Sequence, residues 1–254
     1  MLQKILSVIA QATAGGAVLV VLFVTAFEIA CYSDYVFYEK EYVKYHVNNE
    51  DSIVNMDMSE LMDVTVEMMS YLRGGREDLV VYATIDGEEK LFFNEIDQSH
   101  MKDVRDLFLL GLLWRKCAIA VLFVSILLLF VLNGAEGGIL RLCNGILWSL
   151  AALFAVGAAI AGAAVVNFTA VFYAMHRMLF DNDNWLLDPS ISRLINILPE
   201  GFFVDMGIRI GMWLILLIIF IFVLCFSVRC GMIKRSMKRE QSNKQISGGT
   251  YEQG

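Results

Sequence analysis

Two of the three histidines in this chain border long apolar runs. His100 stands just before one run and His176 just after another. An imidazole exchanges protons near neutral pH, and an ionisable side chain in membrane surroundings is by default a candidate for function. The link between these two runs, Asn133 to Arg141, is short, so the runs pair as antiparallel neighbours and bring both histidines to the same end. Two imidazoles placed so can act as base and acid, or one can orient the other. The alternative is that each caps or anchors a helix end. His46 lies in a polar segment with no motif around it and reads as a surface residue.

Other chemistries find less support. The chain has no HExxH and no other histidine pair at metal-ligand spacing. It has no GxSxG elbow, and neither a P-loop nor GxGxxG. Ser99 adjoins His100 but points elsewhere on a helix, where a cap is the simpler role. Asp181 and Asp183 lack the rest of a calcium loop. The five cysteines (Cys31, Cys117, Cys143, Cys225, Cys230) lie within or beside apolar runs and form no CxxC pair, which suits small membrane-embedded hydrophobes. No metal or cofactor is expected. A net charge of −7 lacks the basic stripe of a nucleic-acid binder.

The elements that must position the histidines follow from hydropathy. With 57% hydrophobic residues and a mean hydropathy of +0.60, the chain falls in the membrane class. A span needs roughly 20 apolar residues. Four runs qualify: Ile5–Ala30, about Leu107–Leu132, about Ile146–Tyr173 and about Gly207–Val228. The first is too long for a signal h-region and reads as an uncleaved anchor. The second is interrupted by Arg115 and Lys116, which snorkel to an interface. The third carries Gly157, Ala158, Ala161 and Gly162 at the spacing of a helix-packing seam. Arg229, Lys234, Arg235, Lys238, Arg239 and Lys244 put the C-terminal tail in the cytoplasm, and four spans put the N-terminus there too. The expected architecture is an all-α membrane protein: four transmembrane helices, with a small α+β extracytoplasmic domain between the first two. Residues 1–31 hold the first helix, 32–106 the outer domain, 107–238 helices two to four with an outer interfacial loop at 174–206, and 239–254 a disordered cytoplasmic tail.

Within the outer domain, Met58, Leu61, Met62, Met68, Met69 and Leu72 recur at helical spacing after a cap at Asp57 or Ser59. Leu79–Ile85 and Leu91–Phe93 read as strands joined through an Asp86-Gly87 turn. Asn94 or Ser99 caps the helix that carries His100. In the outer loop, Asp188 and Pro189 read as N-cap and N1 of a short helix. That helix lays Leu194, Ile195, Ile197 and Leu198 along the membrane surface. Trp185 suits the lipid headgroup level. The loop is either an interfacial connection or a partly embedded lid over a lipid substrate.

Two blocks, FNEIDQSHMKDV (Phe93–Val104) and FYAMHRMLFDNDNWLLDPSISRLINILPEGFF (Phe172–Phe203), resemble the bacterial lipoprotein intramolecular transacylases. That family also has four spans and a small outer domain between the first two. The resemblance implies an acyltransferase of the bacterial cytoplasmic membrane acting at the outer face on diacylglyceryl-modified lipoproteins. It would move the sn-2 acyl chain from the glycerol to the α-amine of the N-terminal cysteine, giving the N-acyl S-monoacylglyceryl (lyso) form. His100 and His176 match the family's two histidines and are the expected catalytic pair. Trp185, Asp103 and Asp188 fall in the same blocks and are expected to bind substrate, although capping and interface anchoring explain them as well. The rivals are a non-catalytic membrane protein that binds an exported partner and an outward-facing lipid esterase or intermolecular acyltransferase.

Overall fold

The computed structural model describes residues 1–49 and 52–249. In chain order the elements are α1 (Leu2–Tyr32), α2 (Val36–Lys44), α3 (Met58–Leu72), β1 (Tyr82–Ile85), β2 (Glu88–Leu91), α4 (Glu95–Val166), α5 (Phe168–Leu179), α6 (Arg193–Ile197) and α7 (Glu200–Gly249). The fold is mostly helical, with one two-stranded sheet. Three helices are long and apolar enough to cross a membrane: Leu2–Tyr32, Glu95–Val166 and Glu200–Arg235. α4, at 72 residues, contains one non-helical residue, Gly134, with φ 68 and ψ 179. Positive φ there is open to glycine without a Cβ clash. Past it the chain turns back, so that a Cβ on Gly138 would lie about 3 Å from the Leu129 and Phe130 backbone. On a straight helix those residues would be ~12 Å or more apart.

The chain forms two compact units. The first comprises Met1–Phe23, Lys116–Gly157 and Ile215–Gly254. Here the start of α1 packs on α4 through small residues. Ala10, Ala14 and Ala17 are buried, and a Cβ on Gly145 would collide with the Gln11 backbone. Thr13 and Ser125 share a hydrogen bond of 2.9 Å, and Ser7 bonds Asn133. Among the described residues, the expected seam at Gly157–Gly162 is not where helices meet. Both glycines have open space beside them and all four small residues are exposed. Small residues permit close approach, but a seam also needs a facing helix, and Gln11 with Gly15 supplies one at Gly145 and Ser149 instead. α7 continues to Gly249, so the polar stretch read as disordered from Arg239 is helical that far. Extending an existing helix avoids the nucleation cost, and Lys, Arg, Glu and Gln are good helix formers. Residues 250–254 lie outside the described residues.

The second unit comprises Val24–Arg115 and Ala158–Leu214. Its core gathers Tyr42, Val54, Leu61, Met68, Ile85, Phe92, Phe93 and Ile197. α3 begins where expected, with Asp57 accepting from the Ser59 N–H at 2.8 Å. Asp86 and Gly87 take φ of 55° and 78°, a two-residue hairpin turn. That turn sets the register at Ile85 opposite Glu88 and Tyr82 opposite Leu91. The second strand therefore starts directly after the turn, ahead of the expected Leu91–Phe93. Asn94 closes a capping box: its side chain accepts from the Asp97 N–H at 2.8 Å, and Asp97 accepts from the Asn94 N–H at 3.2 Å. Arg115 pairs with Glu28, which Arg73 also reaches at 3.3 Å.

Candidate functional site

His100 lies in the second turn of α4, where the Asn94 box fixes the helix start. His176 lies in the last turn of α5. The apolar run read as a single helix from Ile146 to Tyr173 is broken at Asn167, whose extended backbone ends α4. Its side chain accepts from the Ala170 N–H at 2.9 Å and starts α5. Ser, Thr, Asp and Asn side chains favour such caps because they replace a missing backbone partner.

The two imidazoles meet. Their ring centroids are 6.1 Å apart with planes tilted by 34°, and each residue is only 8% exposed. Aromatic rings enclose them. Phe172 and Phe180, one turn before and after His176, lie 4.2 and 5.7 Å from it, and Phe180 meets the His100 ring edge-on at 5.3 Å. Trp185 lies over His176 at 5.1 Å and takes Tyr173 on its edge at 5.3 Å. Trp185 is thus 8% exposed, packed inside the protein. Phe172 escaped the sequence reading, although its i−4 spacing from His176 puts the two on one helix face; Phe180 follows the end of α5 in extended backbone.

Protonation follows from this setting. The pair lies outside the apolar runs, His100 before Leu107 and His176 after Tyr173. Burial, the neighbouring His176 and, in opposition, Asp103 bring the His100 pKa down to about 4. Burial also lowers that of His176, partly offset by a bond to the Phe172 carbonyl. Both imidazoles are therefore neutral at pH 7. The His176 Nδ1 lies 2.8 Å from the Phe172 carbonyl oxygen. A carbonyl only accepts, so Nδ1 carries the proton and Nε2 keeps its lone pair. His100 Nδ1 and Trp185 Nε1 are both buried with no hydrogen-bond partner among the described residues.

The loop after α5 is stitched along the first turns of α4. Asn182 donates to Asp103 at 2.9 Å and Asn184 donates to Ser99 at 2.9 Å, on either side of His100. Further on, Asn94 donates to the Ile191 carbonyl at 3.1 Å, and Ser192 donates to the fully buried Asp97 at 2.5 Å. Arg193 donates to the Leu91 carbonyl at 3.1 Å and to that of Phe92 at 3.3 Å. The two sequence blocks are thus the two sides of one hydrogen-bonded seam. Asp103 belongs to it. Asp188 is exposed and bonds Ser190, holding a turn. The cap of α6 is Ser192 rather than Asp188. The apolar face of α6 is also not laid on a surface: Leu194 and Ile197 enter the core. His46 is exposed, with φ 52. Among the described residues no three His, Cys, Asp or Glu side chains converge as a metal ion would need.

A family model for the lipoprotein intramolecular transacylase Lit matches residues 13–203. Among solved structures, the fold is similar to that of the membrane integral lipoprotein intramolecular transacylase Lit from Bacillus cereus. The TM-score is 0.63 at 18% identity, covering 93% of this chain and 98% of that one. A form of the same protein with a histidine replaced by alanine gives 0.63 at 16% identity, covering 93% and 96%. A form with a histidine replaced by arginine gives 0.63 at 17%, covering 94% and 95%. No curated protein sequence matches significantly.

Proposed function

This chain belongs to the lipoprotein intramolecular transacylase family, acyltransferases that act on lipoproteins, and from that premise we propose the particular transfer it performs. The sn-2 acyl chain of a diacylglyceryl-cysteine moves to the α-amine of the same cysteine and leaves the lyso form. The observation that carries this reading is the pair of buried neutral imidazoles, His100 and His176, at 6.1 Å within one aromatic enclosure.

The chemistry asks little more of a protein. An ester becomes an amide, which runs downhill and needs no energy source. Donor and acceptor are tethered in one molecule, so holding them in an attack geometry supplies much of the acceleration. The α-amine, with a reference pKa of about 8, attacks as the free base. As its nitrogen bonds the carbonyl carbon, His176 Nε2 takes one amine proton. The tetrahedral intermediate then collapses. The bond to the glycerol oxygen breaks, and the imidazolium of His176 returns the proton to that oxygen. His100, neutral and with Nδ1 unpaired, hydrogen-bonds the substrate and orients it against His176. The Asn182–Asp103 and Asn184–Ser99 bonds hold the two sides of the site in register. In this reading Asp103 and Trp185 border the bound substrate, and Asp188 shapes the loop edge.

We place this site at the outer face of the bacterial cytoplasmic membrane, with both termini in the cytoplasm. The basic residues from Arg229 to Lys238 support that orientation. The turn at Gly134 supports counting α4 as two spans, because 72 helical residues would reach ~108 Å against a hydrocarbon core of about 30 Å. Four spans then frame an outer domain at 32–106 and an outer loop at 174–206. The substrate test uses a synthetic diacylglyceryl lipopeptide with a free N-terminus. Its α-amine should become unreactive to an amine reagent while no fatty acid is released. Release of fatty acid with the amine still reactive would make the protein an esterase instead.

A further inference from the structure

Trp185 has a feature that packing does not explain. Its ring is 8% exposed and covers the His176 imidazole at 5.1 Å. A phenyl ring would cover that face as well. The indole N–H, however, is buried and has no hydrogen-bond partner among the described residues. Buried polar groups are normally paired, and one left unpaired calls for an explanation. An indole N–H can only donate. An acceptor on a bound substrate would satisfy it.

The reacting groups narrow the choice. The amine is itself a donor. The glycerol oxygen receives a proton from the imidazolium that forms at His176. The ester carbonyl oxygen is an acceptor that gains a full negative charge as the tetrahedral intermediate forms. His176 cannot serve that oxygen while it takes the amine proton, because its Nδ1 is committed to the Phe172 carbonyl at 2.8 Å. A donor separate from His176 is needed, fixed before the reaction and unable to lose its own proton near neutral pH.

We propose that Trp185 is a catalytic residue whose indole Nε1–H donates a hydrogen bond to the sn-2 ester carbonyl oxygen and holds the oxyanion of the tetrahedral intermediate. This rests on the transacylase reading. In the step concerned the amine nitrogen bonds the carbonyl carbon and the C=O π electrons move to oxygen. His176 Nε2 takes one amine proton, and the indole proton stays on nitrogen. Collapse restores the carbonyl and expels the protonated glycerol oxygen.

The test replaces Trp185 in the full-length, detergent-solubilised protein. Trp185→Phe keeps an aromatic ring over His176 without the N–H. Benzothienylalanine at the same position keeps the bicyclic shape and puts sulfur in place of N–H. Removing one oxyanion donor lowers kcat by about 100- to 1,000-fold. Both replacements should show that loss with KM and melting temperature near wild type. An inert lipopeptide with a phosphonate in place of the sn-2 ester should bind both replacements more weakly by a similar factor. An inert ether analogue should bind them as it binds wild type. If either replacement keeps kcat within a few fold of wild type, or loses affinity for the two analogues equally, the assignment is overturned. A wild-type protein that releases fatty acid instead of acylating the amine refutes the transacylase reading itself, whatever the Trp185 variants do.

Discussion

Acidification should destabilise this protein through His100, by an amount the site sets. The ordinary histidine pKa is about 6.5. In the folded protein, burial and the adjacent His176 bring His100 down to about 4, with Asp103 opposing. Between those values the unfolded chain binds a proton that the folded chain refuses, so stability present above pH 6.5 is lost as pH falls toward 4. From pH 7 to pH 5 the loss worked from these values is about 2 kcal/mol. His176, shifted in the same direction, adds to it. The assay is reversible unfolding in detergent at pH 7, 6 and 5, on wild type and on His100→Phe. Phenylalanine fills the same aromatic setting and does not titrate. The variant should keep most of the stability that wild type loses, and the difference should grow steadily as pH falls. Equal losses in the two proteins would refute the claim that a buried neutral imidazole at this position resists protonation.

Other outcomes follow from the same contacts. The transfer rate should rise from pH 6 to pH 8 with the α-amine and show no inflection from His100 near 6.5, since that imidazole is already neutral there; a rate profile in pH checks this. Asn94→Ala removes the α4 capping box and the bond to Ile191, and should cost about 1 kcal/mol or more in an unfolding titration. Ser192→Ala takes a partner from the buried Asp97 carboxylate and should cost about 1–3 kcal/mol, with activity falling as the seam loosens. Gly145→Leu drives a side chain into the Gln11 backbone and should lower thermal stability by about 1–3 kcal/mol or more.

What the sequence made legible depended on local physics. The short link at 133–141 forces neighbouring antiparallel runs, so two histidines at the same end of them had to lie close, and they do. Asp86-Gly87 and Asn94 were readable because turn and cap chemistry act within a few residues. The rest was decided by partners distant in the chain. Nothing in the apolar run from Ile146 to Tyr173 marks Asn167 as a break until its side chain is seen capping α5. The packing of Trp185 against His176 is a tertiary fact that its neighbours in sequence do not carry. Asp188-Pro189 has the pattern of a helix start, yet Ser192 caps α6, its hydroxyl also being held by Asp97 from the other block. The small residues at Gly157–Gly162 have seam spacing but no facing helix among the described residues.

The measurement that tests the central claim most directly is tandem mass spectrometry of a diacylglyceryl lipopeptide incubated with wild type, His100→Ala or His176→Ala. Intramolecular transfer leaves the total mass unchanged, so fragment ions must locate the acyl chain. With wild type, one chain should appear on the α-amine of the cysteine. With each folded variant the substrate should stay unchanged. An acyl chain that reaches the amine in either variant at the wild-type rate would contradict the assignment of the histidine pair.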